Sequence, residues 1–372
     1  MCKKIVITVG GTGGHIYPAM ALAQQLLQDP NLTLLFAGGG LHGNRYFQCK
    51  ALPYHDIACG TFSINKPWKS LCSAGRIMRG VWQSHCLIKE FAPDLVVGFG
   101  SHHTLPVLLA AKLHGVPFLL HEANRIPGKV NRMLSRYAVA TGVHFADTAR
   151  LLQGKALEVT IPLRDGYQLG AIPQRRAKEY FQLDPKILTL LVFGGSQGAH
   201  ALNHLVSEAL LQVEHSQLQV LHFTGDAQAA QQLRDIYARH HIKAVVKDFE
   251  QRMDIAWQAA DVVVSRSGAG TLAEALEFET PSILIPYPYA ADNHQESNAN
   301  FMVDAVKGAI KRREKDLTIK QLAQDIEALL ADNYKGLQSL QQGIRDYKRN
   351  ANPRTLCSVV REHLQLDQCP SE

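Results

Sequence analysis

The chain has 372 residues, of which 46% are hydrophobic, so it is long enough for two α/β domains that each bury a core. Its charge is unevenly divided: residues 1–163 contain 16 Lys and Arg against 7 Asp and Glu, whereas residues 164–372 contain 23 against 26. The basic N-terminal half indicates an anionic surface or ligand. Nucleic acid is disfavoured because the basic residues are scattered and no recognition-helix or RNP-type motif is present.

The seven cysteines form no CxxC or zinc-type pair. The sequence also lacks a secretory signal and an uninterrupted apolar run of about 20 residues. These features predict a cytosolic chain with free thiols, which contacts a membrane only at its surface.

Short apolar runs alternate with helix-period segments along the chain, which predicts parallel strands covered on both faces by helices. The predicted strands are KIVITV, LTLLF, DLVVGF, VPFLLH and YAVATGV in the first half and LTLLVF, LQVLHF, KAVVKDF, DVVVSR and PSILIP in the second; the predicted helices include YPAMALAQQLL and AHALNHLVSEALLQV. The pattern restarts after the turn-rich residues 161–185, which we interpret as a domain linker. The predicted fold class is α/β, with two Rossmann-like, doubly wound parallel-sheet domains (1–163 and 164–349) facing a central cleft and a C-terminal helix (350–368) packing back on the first.

The stretch TVGGTGGHIYPA follows the first predicted strand and opens a helix, which is a suitable context for phosphate binding. It departs from a dinucleotide fingerprint in two respects. Ile16 stands where the third glycine is required, and no acidic residue follows the next strand to bind a ribose. No Gly-Lys-Ser/Thr follows the turn either, so it is not a P-loop.

Three further turns of small residues, FGGSQGA, SRSGAGT and VGFGSHH, follow predicted strands in both halves. Four such turns favour a ligand that carries several phosphate or sugar groups. The amide- and hydroxyl-rich loop PYPYAADNHQESNA suits a sugar, whose oxygens both donate and accept hydrogen bonds. Within it, we assign Asn293 and Glu296 to a capped, solvated first helical turn.

Taken together, GGTGGHIYPA, HEAN, GGSQGA, RSGAGTLAE and PYPYAADNHQESNA resemble the motifs of the MurG family of peptidoglycan glycosyltransferases, within glycosyltransferase family 28, in the same order from residue 10 to 299. The resemblance implies the GT-B fold and an inverting transfer of N-acetylglucosamine from UDP-GlcNAc to the 4-hydroxyl of N-acetylmuramic acid in lipid I, giving lipid II. It implies no metal and no cofactor. The sequence agrees in having no Asp-x-Asp pair, since Asp248-Phe249-Glu250 is interpreted as a loop end.

The resemblance also implies site residues. Those for UDP-GlcNAc are Thr12, Gly13, Gly14, Asn124, Arg164, Ser196, Ala269, Gly270, Thr271, Glu274 and Gln295, and those for the acceptor are Gly11, Gly100, Ser101 and His102. Ser196 would contact the donor phosphates, Glu274 the ribose and Arg164 the uracil side. Asn124 and Gln295 would bind the N-acetylglucosamine, and residues 12–14 would also face the acceptor's pyrophosphate.

The candidates for the general base are His15 and Glu122. His15 follows the glycine turn, and a histidine pKa can lie near neutrality; the alternative is a structural role or a contact with acceptor phosphate. Glu122 has the alternative role of an internal hydrogen-bond partner that orients the HEAN turn.

The sequence departs from the family pattern at two places. Gly100-Ser101-His102 replaces the usual Gly-Gly-Tyr, so His102 and His103, partly protonated, are expected to bind the pyrophosphate. A zinc site there is disfavoured because adjacent histidines rarely converge on one ion and no Cys or carboxylate spacing supports it. Glu250 replaces an apolar residue near the uracil.

A basic and aromatic segment in the first half predicts peripheral contact with the anionic cytoplasmic face of the bacterial inner membrane. The segment comprises Lys66-Pro67-Trp68-Lys69, Leu71, Arg76-Ile77-Met78-Arg79 and Val81-Trp82. The alternative is an ordinary amphipathic helix with Ile77, Val81 and Trp82 in the core. We expect a mixed face with Trp68, Met78 and Arg79 outward.

Four other functions are alternatives to this one. A diacylglycerol or natural-product glycosyltransferase, or a UDP-GlcNAc epimerase, would keep the fold; HEAN and the amide-rich loop argue against the epimerase. An NAD-dependent dehydrogenase is disfavoured by the missing fingerprint residues. A non-catalytic nucleotide-sugar sensor would carry the same binding residues and differs only in activity.

Overall fold

A computed structural model describes residues 2–47, 52–60, 67–195, 200–214 and 216–366, without the side chains of 67–72. The chain forms two compact units. The first contains the residues up to Asp165 together with those from Pro353 onward, and the second runs from Gly166 to Asn352. These divisions lie two or three residues from the boundaries proposed from the sequence.

The first unit is built on a parallel sheet of eight strands in the order β3-β2-β1-β4-β5-β6-β7-β14. Its elements are β1 Lys3–Thr8, α1 Gly13–Leu26, β2 Leu32–Gly38, β3 Tyr54–Asp56, α2 Pro67–Phe91, β4 Leu95–Gly98, α3 Leu105–Leu113, β5 Phe118–Glu122, α4 Lys129–Leu134, β6 Ala140–Val143, β7 Ala156–Thr160, β14 Arg354–Thr355 and α12 Leu356–His363.

The core of the first unit includes residues that are far apart in the sequence. Ile5 and Ile7 of β1 are fully buried, and they share one hydrophobic cluster with Leu356, Val359 and Val360 of α12. Burial of this apolar surface holds the C-terminal helix against the sheet.

The second unit contains a parallel sheet of six strands in the order β10-β9-β8-β11-β12-β13. Its elements are α5 Gln174–Tyr180, β8 Leu188–Phe193, α6 His200–Leu210, β9 Leu218–Phe223, α7 Ala227–Arg239, β10 Ala244–Lys247, α8 Met253–Ala259, β11 Val262–Ser265, α9 Ala269–Glu277, β12 Ser282–Leu284, α10 His294–Asp304, β13 Ala309–Lys311 and α11 Ile319–Asn350. Helix α11 is interrupted at residues 331–334, where the backbone leaves the helical region.

All ten predicted strands are present, whereas the predicted linker 161–185 is too long. Its residues 174–180 form α5, which packs on α8. Ala177 and Phe181 are buried, and the ammonium of Lys178, which is 4% exposed, lies 2.8 Å from the carboxylate of Asp261. The charge of this stretch therefore belongs partly to a buried ion pair and not to a solvated linker.

Each sheet has a switch point, where successive strands stop being added toward one edge of the sheet and start being added toward the other. It lies between β1 and β4 in the first unit and between β8 and β11 in the second. Loops diverge at the carboxyl ends of such strands and leave room for a ligand. The glycine-rich turns that follow β1, β4 and β11 lie at these points, as do Gly194 and Gly195 after β8.

Candidate active site

The turn after β1 presents the N-terminus of α1. Thr12 is the N-cap residue, with extended backbone (φ −94°, ψ 168°), and its carbonyl accepts hydrogen bonds from the amides of His15 and Ile16 at 3.1 and 3.2 Å. The first turn of α1 contains no acidic residue. Because the first amides of a helix lack intrahelical partners and carry the positive end of its dipole, this turn favours an anion.

The turn after β4 contains two consecutive residues in the left-handed region, Gly100 at φ 71° and Ser101 at φ 69°. A Cβ atom on Gly100 would lie 3.2 Å from Nδ2 of Asn131. Ser101 carries its side chain in a conformation that favours glycine, at a cost of roughly 1–2 kcal/mol. Serine in place of glycine at residue 101 is therefore accommodated with local backbone strain.

His103 lies between two glycine-rich turns. A Cβ atom on Gly10 would be 2.6 Å from Cβ of His103, and one on Gly39 would be 2.9 Å from its Nδ1. Asn44 donates hydrogen bonds to the carbonyls of Gly11 and Gly40 at 3.0 and 3.1 Å. The loops that follow β1, β2 and β4 are thus joined into one polar edge of the first sheet.

Two histidines at this edge, His102 and His103, have pKa values lowered from the usual range. Burial lowers the pKa of His102, and burial together with the charges of His102 and His15 lowers that of His103 to about 4. The expectation that both are partly protonated is therefore wrong for His103, and the lowered pKa of His102 disfavours it there as well. As neutral rings they can accept or donate hydrogen bonds, but they add no positive charge for a pyrophosphate.

Glu122 ends β5 and is 3% exposed. Its carboxylate accepts hydrogen bonds from the amides of Asn124 and Gly128 at 2.9 and 2.8 Å and from Nδ2 of Asn131 at 2.9 Å. Burial raises its pKa, and these donors oppose that shift. The described contacts of this side chain are internal, which favours its role in orienting the HEAN turn over that of a general base.

His15 lies half-buried in the first turn of α1. It is close enough to His103 and His121 for its charge to lower the pKa of both. It therefore shares the polar edge with the turns after β1 and β4, in contrast to the fully enclosed Glu122.

The second unit presents the N-terminus of α9 at its own switch point. Gly268 is the N-cap, with extended backbone, so Ala269, Gly270 and Thr271 form the first helical turn. The preceding residue, Ser267, donates a hydrogen bond to the carbonyl of Gln295 at 2.7 Å. This contact fixes α9 to the start of α10.

Glu274 lies one turn into α9 and is half-buried. Its Oε2 accepts a hydrogen bond from Nε1 of Trp257 at 2.8 Å, and the indole stacks on Phe278 with ring centroids 6.0 Å apart. A buried indole thus sets the direction of this carboxylate.

Gln295 begins α10 and holds the loop before it, because its Oε1 accepts a hydrogen bond from the amide of Tyr287 at 2.9 Å. Asn293 donates to Oε2 of Glu296 at 2.8 Å, and Glu296 also pairs with Lys311 and Arg313. These contacts are internal. Asn293 makes no side-chain cap bond to the helix backbone, so it supports the turn through Glu296 instead of as a cap.

The structure places the predicted residues in two groups. At the edge of the first unit lie Gly11, Thr12, Gly13, Gly14, His15, Gly100, Ser101, His102, Glu122 and Asn124; at the edge of the second lie Ala269, Gly270, Thr271, Glu274 and Gln295. Arg164 belongs to the first unit, with its guanidinium 4.2 Å from the ring centre of Tyr17 in α1. Ser196 lies outside the described residues.

The sequence did not predict three residues that also lie at the polar edge of the first unit: Asn44, Cys59 and Asn131. Asn44 and Asn131 hold the turns by side-chain hydrogen bonds, which leave no spacing signal in a sequence. Cys59 lies 44 residues from His103 along the chain, yet its Sγ is 3.2 Å from Nδ1 of that histidine.

Glu250 is buried, with its side chain 7% exposed, and forms an ion pair of 2.7 Å with Lys247. Its Oε1 also accepts a hydrogen bond from the amide of Arg252 at 2.8 Å. The charge that replaces an apolar residue is therefore compensated within the loop after β10.

Helix α2 exposes apolar side chains. Met78 is 74% and Trp82 67% exposed, and Arg79 is also exposed, whereas Ile77 and Val81 are half-buried. The alternative that places Trp82 in the core is therefore wrong. Lys66 and the side chains of Trp68, Lys69 and Leu71 lie outside the described residues, and none of the described helices is long and apolar enough to cross a membrane.

Two parallel sheets with matching strand orders, each with glycine-rich residues at its switch point, are the architecture of the GT-B fold, which many nucleotide-sugar glycosyltransferases adopt. Family models agree: the N-terminal domain of glycosyltransferase family 28 matches residues 5–143 and the C-terminal domain of that family matches residues 189–350. The chain belongs to glycosyltransferase family 28.

Named relatives cover nearly the whole chain. A protein of Protochlamydia amoebophila is 45% identical over 98% of this chain and 97% of its own length, and one of Chlamydia pneumoniae is 35% identical over 97% and 99%. Both are named UDP-N-acetylglucosamine–N-acetylmuramyl-(pentapeptide) pyrophosphoryl-undecaprenol N-acetylglucosamine transferase. The crystal structure of Acinetobacter baumannii MurG aligns over 98% of this chain and 100% of its own, with a TM-score of 0.76 and 27% identity.

Proposed function

We infer that this protein transfers N-acetylglucosamine from UDP-GlcNAc to the 4-hydroxyl of N-acetylmuramic acid in lipid I, giving lipid II for peptidoglycan synthesis. The observation that carries this inference is the 45% identity to a relative of that name across almost the entire length of both chains. The same motifs lie at the switch points of the two sheets.

The edge of the first unit is proposed to bind the acceptor. Its pyrophosphate would meet the amides at the start of α1 and the turn at Gly100 and Ser101. The first amides of α1 and the helix dipole supply the attraction, and His102 adds hydrogen bonds. Residues 12–14 would face this pyrophosphate and the transfer site.

The edge of the second unit is proposed to bind the donor. The first turn of α9 would stabilise charge that grows on the β-phosphate as UDP leaves, because fixed N–H dipoles need no reorganisation. Glu274, directed by Trp257, would accept hydrogen bonds from the ribose. Gln295 and Asn124 would bind the N-acetylglucosamine, and Arg164 would approach the uracil side.

His15 is proposed as the general base that takes the proton of the acceptor hydroxyl while that oxygen attacks the anomeric carbon from the face opposite UDP. The reaction therefore inverts the anomeric configuration. Glu122 acts as a positioning residue, because it holds the turn that carries Asn124. No step of this mechanism is routed through a metal ion.

The test is transfer of labelled N-acetylglucosamine from UDP-GlcNAc to lipid I, with and without EDTA, by the wild type, His15→Ala and the exposed control His240→Ala. We expect wild-type transfer to survive EDTA and His15→Ala to lower kcat by about 10²–10⁴-fold, the usual contribution of a general base. UDP-GlcNAc binding, measured by calorimetry, should be unchanged in both variants.

Each alternative has its own outcome. Binding of UDP-GlcNAc without transfer to lipid I would overturn the proposed function and favour another lipid acceptor or a sensor. Full activity of His15→Ala would remove that residue from the mechanism and leave the function intact.

A further inference from the structure

Three potential metal ligands meet at the polar edge of the first unit. Cys59, His102 and His103 each place one ligand atom within 4.8 Å of the other two. The thiol of Cys59 is already 3.2 Å from Nδ1 of His103. The rings of the two adjacent histidines lie on the same side of the chain, with centroids 3.9 Å apart.

These distances are close to those of a coordinated ion. Zinc–sulfur bonds of about 2.3 Å and zinc–nitrogen bonds of about 2.0–2.1 Å put tetrahedral ligand atoms roughly 3.3–3.6 Å apart. The Cys59–His103 pair, at 3.2 Å, is a few tenths of an ångström short of this separation, and because all three ligand atoms lie within 4.8 Å of one another, the largest movement needed is roughly 1–1.5 Å. His102 is half-buried in a surface turn, where a side-chain rotation of that size is small.

One acidic residue lies near the three ligands. The charge of Asp56, at the end of β3, acts on both Cys59 and His103, although burial is the larger effect on both, raising the pKa of Cys59 and lowering that of His103, and Arg76 opposes Asp56 at Cys59. Gly39 has no side chain, and a Cβ atom there would be 2.2 Å from Sγ of Cys59. The backbone therefore leaves the thiol and the imidazole in contact with each other.

We propose that Cys59, His102 and His103 form a binding site for a divalent transition-metal ion, and that the ion is Zn²⁺. The sequence alone disfavours zinc here because no cysteine spacing supports it; the pairing of β3 with β2 brings Cys59 to His103 and supplies that ligand. One thiolate and two imidazoles are a donor set that zinc prefers, and three protein ligands leave the fourth tetrahedral position for water or an anionic oxygen. This site is additional to the transfer mechanism, in which His15 acts without a metal.

The test uses the full chain, stripped with a chelator, kept reduced and titrated with Zn²⁺ in competition with a chromophoric chelator. We expect one equivalent to bind tightly. Cys59→Ser and His102→Ala should each weaken binding by about 100-fold or more, since even the loss of a partner outside the coordination sphere costs 10–100-fold.

Two control variants address the other nearby ligands. His85 and His114 are exposed, with ring nitrogens 2.7 Å apart, and Cys86 is an exposed free cysteine. His85→Ala and Cys86→Ser should leave the tight site unchanged. Tight binding that disappears in His85→Ala, or that persists in Cys59→Ser, would overturn the proposal.

Cobalt provides a readout that needs no variant. Co²⁺ bound at this site should show a thiolate-to-metal charge-transfer band together with the intense visible bands of a tetrahedral complex. Spectra typical of octahedral Co²⁺ without a charge-transfer band would contradict the site even if Cys59→Ser failed to fold. All these readouts are independent of lipid II synthesis, so a failed metal site and a failed transferase assignment are distinguishable.

Discussion

At the scale of single residues, the polar edge of the first unit depends on side chains whose hydrogen bonds fix the backbone of its turns. Glu122 accepts hydrogen bonds from Asn124, Gly128 and Asn131 that fix residues 124–131, and Asn131 connects this network to the close approach at Gly100. The sequence draws attention to Glu122 as the acidic residue of the HEAN motif. Only its hydrogen bonds show whether it is better suited to position the turn or to act as a base.

We expect Glu122→Gln to destabilise the first unit. The substitution replaces an acceptor oxygen by an NH₂ group that faces N–H donors, and a buried donor without a partner costs about 1–3 kcal/mol. Urea unfolding measures the loss, and the exposed Glu158→Gln should change stability by no more than about 0.5 kcal/mol. Unchanged stability with greatly reduced kcat would instead assign Glu122 to proton transfer.

At the scale of elements, apolar strands between helices were predictable because buried parallel strands are nearly continuous hydrophobic runs. The strands that the sequence did not reveal are short or poorly buried. All three residues of β3 are exposed, β13 and β14 have only three and two residues and lie at sheet edges, and β7 is mostly half-buried. Their pairing is imposed by neighbours and not by local pattern. The same limit explains Cys59, which reaches His103 only through the order of strands in the sheet.

Helix α2 contains the exposed residues on which the hypothesis of membrane contact depends. Met78 and Trp82 are four residues apart, so both point from the same exposed face, and Arg79 lies beside them. We expect Trp82→Gln to reduce binding to vesicles that contain anionic lipid by about tenfold, because burying a large apolar side chain contributes about 1.5–3 kcal/mol.

Sedimentation with vesicles of anionic and of neutral lipid measures this effect. The control is Leu151→Gln, which removes another exposed apolar side chain of the first unit, 51% exposed and outside α2. Equal losses for both variants, or none for Trp82→Gln, would place the contact elsewhere.

At the scale of the whole molecule, buried histidines make both units sensitive to acid. Burial lowers the pKa of His121 and His222 to about 3 and that of His144 to about 4. In the second unit, His222 lies 2.9 Å from the hydroxyl of Tyr237 and 3.1 Å from Oδ1 of Asn203. The neutral ring satisfies both contacts.

The direction in which stability changes with pH follows from proton binding. Between the unfolded pKa of about 6.5 and the folded pKa, the unfolded state binds the extra proton, so stability falls as pH falls, by up to about 1.4 kcal/mol per pH unit for each such histidine. We expect unfolding of the second unit, followed by Trp257 fluorescence in a Trp68→Phe/Trp82→Phe background, to become easier from pH 6.5 to 5. His222→Gln should reduce that pH dependence, and an equal slope in both proteins would contradict the assignment.

The return of α12 to the first sheet has a consequence for synthesis on the ribosome. Residues 166–352 of the second unit emerge as one uninterrupted segment, and domains generally fold as units while the chain is made. The first unit emerges earlier but must wait for Leu356, Val359 and Val360 to cover β1 and α1. The half that is translated first is therefore the half completed last, and its apolar surface needs protection throughout elongation.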